Sequence, residues 1–157
     1  MATPPLLWCW HSGPAFASPL RSTQVMAVRV LIVDDVESFR RAARAVVQAI
    51  NGFEVVGEAA SGEESLEKTR AVRPHLILMD VNLPGISGIE ATRRIKEEFP
   101  RTVVLLLSTR EALEFVGPVA ESGAAAYIPK SMFSPQRLIE VWKGTVAGEE
   151  GFEPPTF

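Results

Sequence analysis

Five residues with reactive side chains each lie at the end of a short apolar run. They are two adjacent carboxylates, a single carboxylate, a hydroxyl and an amine: Asp34, Asp35, Asp80, Ser108 and Lys130. Three carboxylates brought together repel one another, and burial raises their pKa values unless a cation compensates. Mg²⁺ suits such a set, and Mn²⁺ is the alternative, because Mg²⁺ takes oxygen ligands from a few carboxylates, waters and a phosphate oxygen. If the fold brings these residues together, they predict a divalent-metal site.

Phosphoryl transfer is the reaction that this set of residues can support. Asp80 is the best candidate for the nucleophile, because it follows an apolar run alone and a carboxylate can form an acyl phosphate. Ser108 can donate a hydrogen bond to a phosphoryl oxygen, and Lys130 supplies a flexible positive charge. The transfer needs mainly in-line positioning and charge neutralisation, and the set provides both.

The elements that position these residues are short apolar runs alternating with segments of helical period. The predicted strands are VRVLIV (28–33), FEVVGEA (53–59), HLILM (75–79), TVVLLL (102–107) and AAAYIP (124–129). Five strands alternating with five helices predict an α/β fold with a parallel sheet and right-handed crossovers. The most apolar run, 75–79, is expected at the centre, and the more polar run, 53–59, near an edge. In such a sheet the functional crevice lies at the carboxyl ends of the strands, where all five reactive residues are found.

Composition limits the classes of protein to which the chain can belong. At 157 residues the chain has the size of one domain, and 46% hydrophobic with 22% charged residues is ordinary for a soluble protein. The net charge of -3, without a Lys or Arg cluster, argues against direct nucleic-acid binding. The single cysteine, Cys9, excludes an internal disulfide and favours a cytoplasmic location. No apolar run approaches the roughly 20 residues needed to span a membrane, so no membrane partner is expected.

Four motifs, each at the end of a predicted strand, resemble those of response-regulator receiver domains. They are LIVDD (31–35), LILMDVNLPGISGIE (76–90), LLLST (105–109) and AAYIPKS (125–131). The resemblance covers about residues 28–147, and its details are most similar to receivers of LuxR-type transcription regulators. It implies a flavodoxin-like (βα)5 fold, a doubly wound five-stranded parallel sheet with strand order 2-1-3-4-5.

The resemblance also implies a metal site and a phosphorylation site. Asp80 is then the phosphoacceptor and a metal ligand, and Asp34 and Asp35 are the acidic pair that holds Mg²⁺ or Mn²⁺. The backbone carbonyl of Asn82 completes the metal site. The protein would be a phosphoacceptor switch rather than an enzyme, with self-catalysed phosphorylation and slow autodephosphorylation.

Further residues are implied to sense the phosphate. Ser108 would be the hydroxyl switch residue, Lys130 the phosphate-contacting lysine, and Tyr127 the aromatic that turns inward when the hydroxyl moves to the phosphate. The implied partners are a sensor histidine kinase or phosphotransfer protein and a downstream protein target. The target would bind at the fourth helix, fifth strand and fifth helix, and a phosphorylation-dependent homodimer is a further partner to consider.

Two positions depart from the pattern of that family. Thr109 follows the switch hydroxyl where the family usually has a smaller residue, so we expect restricted access of water and slow loss of phosphate. Gly117-Pro118 falls inside the expected fourth helix. Because proline removes a backbone hydrogen bond and clashes with the preceding turn, we expect a kink there or a helix that begins near Pro118.

The two ends of the chain do not follow the alternating pattern. Residues 1–26 are interpreted as a disordered or non-native leader, with translation starting at Met26 or with a disordered native segment as the alternatives. Residues 27–147 form the predicted receiver domain, and 148–157 are expected to be a disordered tail. GFEP at 151–154 can be encoded by the T-arm stretch of a transfer-RNA gene, which makes non-functional readthrough one interpretation.

Three alternatives to a stand-alone receiver stay open. The first is a truncated receiver half of a LuxR-type DNA-binding transcription regulator. The second is a Mg²⁺-dependent aspartyl-phosphate phosphohydrolase; such enzymes of the haloacid dehalogenase type need an aspartate two residues after the nucleophile, where this chain has Asn82. The third, a nucleotide-binding module, is the weakest, because no glycine-rich phosphate-binding loop follows the first strand.

Overall fold

The computed structural model describes residues 27–109 and 116–147, in which strands and helices alternate along the chain. The elements are β1 Val28–Val33, α1 Glu37–Gln48, β2 Phe53–Ala59, α2 Gly62–Val72, β3 Leu76–Asp80, α3 Gly88–Glu98, β4 Val103–Ser108, α4 Val116–Ser122, β5 Ala126–Pro129 and α5 Pro135–Val146, with a 3-10 helix at Lys130–Met132. The interpretations of residues 1–26 and 148–157 lie outside the described residues.

The five strands form one parallel sheet in the order β2-β1-β3-β4-β5. This order confirms the predicted doubly wound α/β fold. All residues of β3 are buried, and β3 is the central strand. The more polar β2 is partly exposed along its middle and forms one edge. Both predictions from strand polarity are therefore confirmed.

Two apolar clusters, one on each face of the sheet, hold the helices in place. Alternate side chains of a strand point to opposite faces, so Val30 and Ile32 of β1 join one cluster and Leu31 and Val33 the other. The first cluster includes side chains of α1 and α5, and the second includes side chains of α2, α3 and α4. Because both faces are covered, the strands have continuous apolar sequences rather than alternating ones.

Several element boundaries differ from those predicted. The strands β3 and β4 each begin and end one residue later than expected, so Asp80 and Ser108 are their last residues. The strand β5 begins at Ala126 rather than 124. The helix α4 is described from Val116, two residues before Pro118, and because the residues just before it lie outside the described part of the chain, the expected start or kink near Pro118 stays a prediction.

Serine residues cap three of the helices. The hydroxyls of Ser61, Ser87 and Ser134 accept hydrogen bonds from the backbone at the third following residue, as expected for N-caps. In α5, Pro135 follows its cap in the first helical turn, as predicted. Among the residues that the structure describes, no helix is long and apolar enough to cross a membrane.

Candidate functional site

The register of the sheet brings the reactive residues to one edge. Val33 pairs with Met79, Asp80 with Leu107, and Ser108 with Pro129. The residues at or just after these strand ends are Asp34, Asp80, Ser108 and Lys130, which the sequence predicted to converge. The parallel arrangement thus places a carboxylate, a second carboxylate, a hydroxyl and an amine on four adjacent strand ends.

Three carboxylates form an acidic cluster at this edge. Asp34, Asp35 and Asp80 each offer an oxygen, and these oxygens all lie within 4.8 Å of one another. Asp34 is 1% exposed and Asp80 is 4% exposed. Asp35 is exposed, so the cluster has two buried members and one member on the solvent side.

Lys130 contacts both buried carboxylates of the acidic cluster. Its Nζ lies 2.5 Å from Asp34 Oδ2 and 3.5 Å from Asp80 Oδ1. The same nitrogen lies 4.2 Å from the centroid of the Phe39 ring, within the range of a cation–π interaction. With three ionised carboxylates and one ammonium, the site has a formal charge of -2. A divalent cation would neutralise that charge.

Asp80 is the carboxyl whose ionisation the site opposes. Its pKa is raised to about 6, first by burial and then by the negative charge of Asp34, while Lys130 acts in the opposite direction. A charged group taken out of water favours its neutral form unless a compensating charge is close. A cation bound in the acidic cluster would therefore favour the ionised, nucleophilic form of Asp80.

The backbone around Asp34 is held by two sets of hydrogen bonds. Asp34 Oδ1 accepts a hydrogen bond from Val36 N at 2.8 Å. Arg40 Nη1 donates to the Asp34 carbonyl at 2.6 Å, and Arg40 Nε donates to Glu58 Oε1 at 3.1 Å. The first strand end is thereby fixed relative to α1 and β2.

The chemistry of the acidic cluster fits Mg²⁺ or Mn²⁺. All three side chains present carboxylate oxygens, which are the ligands that Mg²⁺ prefers. Asp34 Oδ2 is buried and accepts no hydrogen bond from the described residues, although it faces the Lys130 ammonium. The Lys130 ammonium already partners this oxygen, and a cation suits the position because a buried carboxylate without a compensating positive charge is costly.

Asn82 lies in the loop between β3 and α3. Its backbone N donates a hydrogen bond to Asp80 Oδ1 at 3.3 Å, and its side chain is exposed. The loop is therefore bonded directly to the carboxylate of Asp80. The metal-binding role of the Asn82 carbonyl stays a prediction.

The three remaining predicted residues lie on or just after the neighbouring strands. Ser108 is fully buried at the end of β4, and Thr109, which follows it, is exposed. Tyr127 of β5 is half-buried and packs against the cluster that faces α2, α3 and α4. Their positions are compatible with phosphate sensing, and their switch roles stay predictions.

Three residues that support the site were not singled out by the sequence. Phe39 and Arg40 belong to α1 rather than to a strand end, yet Phe39 contacts Lys130 and Arg40 donates to the Asp34 carbonyl. A side-chain carbon added at Gly88 would lie 1.8 Å from the Asp80 carbonyl oxygen, so only glycine lets α3 approach the end of β3 so closely. Gly88 could have been noticed in the sequence as a glycine in the first turn of a helix that a serine already caps.

Comparison with known proteins agrees with this geometry. Residues 30–143 match the family described as the response regulator receiver domain. The chain is 36% identical to the response regulator GacA of Pseudomonas protegens over 127 residues, which are 81% of this chain and 59% of that protein. It is 34% identical to the response regulator UvrY of Escherichia coli O6:H1, over 78% of this chain and 56% of that protein. The chain thus spans little more than half the length of these relatives.

Solved structures show the same fold. A two-component response regulator of the LuxR family from Aurantimonas has a TM-score of 0.71 and 31% identity, and the match covers 82% of this chain and 91% of that one. The response regulator domain of CheB from Thermotoga maritima has a TM-score of 0.70 and 27% identity, covering 78% of this chain and 98% of that one. The resemblance seen in the four motifs therefore extends to the backbone.

Proposed function

Because the chain belongs to the response-regulator receiver family of two-component systems, we propose that it accepts a phosphoryl group on Asp80 in a reaction that depends on Mg²⁺ or Mn²⁺. One observation supports this most strongly. The oxygens of Asp34, Asp35 and Asp80 lie within 4.8 Å of one another at the end of the central strand, with Lys130 against both buried carboxylates. The proposal applies to the receiver whether it acts alone or within a longer regulator.

In the proposed reaction, a carboxylate oxygen of Asp80 attacks the phosphorus of a phosphohistidine on a sensor kinase or phosphotransfer protein. The new O–P bond forms as the P–N bond breaks, and the electron pair of that bond remains on the imidazole nitrogen, which then takes a proton from solvent. Asp34 and Asp35, with Asp80 and the backbone carbonyl of Asn82, would hold the metal ion. When bound, the ion supplies charge neutralisation for the phosphoryl oxygens.

The side chains around Asp80 provide the remaining electrostatic support. The Lys130 ammonium is near enough to Asp80 to neutralise part of the charge on a phosphoryl group attached there. The Ser108 hydroxyl, at the end of the next strand, would donate to a phosphoryl oxygen. Lys130, directly after β5, already lies against Asp80, which lowers the reorganisation needed during transfer.

Phosphorylation would then shift the protein between two states. The phosphoryl group of the acyl phosphate carries about 1.5 to 2 negative charges. These replace the single negative charge of the carboxylate. Movement of Ser108 toward this group and inward rotation of Tyr127 would alter the surface formed by α4, β5 and α5, where a downstream protein or a second copy would bind. Because the phosphoryl group originates from ATP on a kinase, the proposed location is the cytoplasm.

The direct test is phosphorylation with a small donor. The protein is incubated with acetyl phosphate and MgCl₂, and the modified residue is mapped by mass spectrometry after borohydride trapping. We expect labelling of the wild type, none of Asp80→Asn, and a strong decrease for Asp35→Asn or after EDTA. Glu37→Gln is the matched control, because Glu37 is an exposed acid at the start of α1 outside the acidic cluster.

The same experiment separates the proposal from its rivals. Labelling that persists in Asp80→Asn would contradict Asp80 as the phosphoacceptor. Release of many phosphates per protein molecule would favour a phosphohydrolase. A single labelling event that decays slowly, and faster in Thr109→Ala, would support a switch whose phosphate is shielded by the exposed Thr109 side chain.

A further inference from the structure

The loop between β3 and α3, residues 81–87, connects the proposed phosphoacceptor to the next helix. Its two ends are fixed by backbone hydrogen bonds. Val81 N donates to the Leu107 carbonyl at 2.9 Å, and Gly88 N donates to the Val81 carbonyl at 2.9 Å. The conformation of the residues between these ends, which include Asn82, depends on what contacts them from outside the loop.

Glu63, in the first turn of α2, contacts the middle of this loop. Its Oε1 accepts a hydrogen bond from Ile86 N at 2.9 Å. The carboxylate also lies against Gly85, where an added side-chain carbon would be 2.4 Å from Glu63 Oε1. Gly85 has a φ of 76°, a backbone conformation that L-residues with side chains rarely adopt. The turn at Gly85 and the carboxylate of Glu63 therefore fit together.

The backbone of α2 makes a second close approach to the same loop. A side-chain carbon added at Gly62 would lie 2.6 Å from the Ile86 carbonyl oxygen and 2.4 Å from Ile86 Cγ1. Ile86 is thus enclosed by the backbone of Gly62 on one side and hydrogen-bonded by the carboxylate of Glu63. The Ile86 hydrogen bond also lowers the pKa of Glu63, so the carboxylate is ionised at neutral pH.

The N-cap of α2 is formed by residues other than Glu63. Ser61 Oγ accepts a hydrogen bond from Glu64 N at 3.1 Å, and Glu64 Oε2 accepts one from Ala60 N at 3.1 Å. These two bonds resemble a capping box, although the second reaches the residue before the N-cap, and they satisfy two backbone donors at the start of the helix. The side chain of Glu63 is directed to the loop instead, which indicates a different role from that of its neighbour Glu64.

We infer that Glu63 is a positioning residue for the proposed metal and phosphorylation site, because it fixes the loop that presents the Asn82 backbone beside Asp80. This inference rests on the proposed function. A hydrogen bond from Asn82 N to Asp80 Oδ1 joins the loop to the acidic cluster. If Ile86 is released, the loop can move at its middle, and the Asn82 carbonyl is no longer held in one position.

The test compares Glu63→Ala, Glu63→Gln and Glu64→Ala in the full chain. Mg²⁺ affinity is measured from the rise of melting temperature with MgCl₂, and the exchange of the Ile86 amide is followed by NMR. For Glu63→Ala we expect faster Ile86 exchange, Mg²⁺ affinity about tenfold weaker, and slower labelling by acetyl phosphate. Glu63→Gln keeps a carbonyl oxygen that can accept the Ile86 N–H, so it should largely restore all three.

Glu64→Ala is the matched control. It should lower the melting temperature through loss of the cap while leaving Mg²⁺ affinity and Ile86 exchange close to wild type. The inference would be overturned if Glu63→Ala binds Mg²⁺ as the wild type does, or if Glu64→Ala weakens Mg²⁺ binding equally. Failure of the wild type to be labelled would refute the proposed function instead, and Mg²⁺ affinity and Ile86 exchange would still decide the role of Glu63.

Discussion

Asp80 is held in a position that favours its neutral form, although the proposed chemistry needs its charged form. It is 4% exposed, and the carboxylates of Asp34 and Asp35 are close. Burial and, next to it, the Asp34 charge together raise its pKa to about 6, above the ordinary value of 3.8. Without a metal ion, therefore, ionised Asp80 lowers the stability of the fold.

We predict that Asp80→Asn is more stable than the wild type at pH 7.5 in EDTA. A raised folded-state pKa means that the native protein binds more protons than the unfolded chain between pH 3.8 and about 6. The stability associated with protonated Asp80 is therefore present at low pH and is lost as pH rises through about 6. The cost above that range is at most about 3 kcal/mol, so we expect Asp80→Asn to gain roughly 1 to 3 kcal/mol in urea unfolding.

The pH dependence distinguishes this effect from a general change in packing. Between pH 4 and 6, the wild type should lose more stability than Asp80→Asn does. Saturating Mg²⁺ should reduce the difference in free energy of unfolding between Asp80→Asn and the wild type at pH 7.5. A ligand bound only to the native state stabilises it by about 2.7 kcal/mol at a concentration of 100 times its Kd. Glu37→Gln is the control and should be as stable as the wild type. If the stability of Asp80→Asn depended on pH as steeply as that of the wild type, the prediction would be wrong.

The sequence predicted the reactive residues of the site but not the residues that support them. Asp34, Asp80 and Lys130 could be found because each lies at the end of a recognisable apolar run. Phe39 and Arg40 belong to α1, and their contacts with the site cross from one element to another. Helical period assigns a residue to a face, but it does not reveal which atom of another strand lies opposite that residue.

At the scale of elements, the closest approach to the site is that of α3 to β3. Gly88, the first residue of α3, lies against the Asp80 carbonyl, where an added side-chain carbon would be 1.8 Å from the oxygen. The helix can therefore begin directly behind the phosphoacceptor. Any side chain at this position would push the end of β3 and the start of α3 apart.

We expect Gly88→Ala to be destabilising and to impair phosphorylation. The clash is with backbone rather than with a flexible side chain, so relaxation must move an element, and overpacking of this kind costs about 1 to 3 kcal/mol. Gly144→Ala is the control, because nothing described lies within 4 Å of a side-chain carbon added at this position, in the last turn of α5. That change should add roughly 0.5 to 1 kcal/mol of stability, as alanine favours helix. Urea unfolding and acetyl phosphate labelling measure both effects, and equal behaviour of the two variants would exclude the proposed close approach.

Element types were predicted well, because strands buried on both faces of the sheet have continuous apolar runs. The segments of helical period between them do not. The boundaries were less certain. Tertiary pairing places the ends of β3 and β4 one residue later than predicted, at Asp80 and Ser108, although neither residue is apolar. The helix α1 begins without a side-chain cap at Val36. An aspartate pair before a helix usually suggests a cap, but the Asp34 and Asp35 carboxylates belong to the acidic cluster.

For the whole molecule, the two apolar clusters tie distant parts of the chain together. Trp142 of α5 is fully buried and meets the ring of Phe53, at the start of β2, edge to face with centroids 6.0 Å apart. An edge strand near the start of the domain is thereby packed against its last helix. The sheet order could be expected from the family resemblance, whereas this contact between the second strand and the last helix could not be inferred from local sequence.

This packing leads to a prediction about the limits of the folding unit. A fragment of residues 27–147 contains every described member of both clusters, so its free energy of unfolding should equal that of the full chain to within about 0.5 kcal/mol. A fragment of residues 27–133 lacks Leu138, Trp142 and Val146, which are at most 2% exposed. Loss of a buried tryptophan alone costs about 3 to 5 kcal/mol, a large part of the usual stability of a domain. We therefore expect the shorter fragment to lack a cooperative urea transition and to resist labelling by acetyl phosphate, while the longer one retains both. A cooperative transition in the shorter fragment would mean that α5 is dispensable for the core around the sheet.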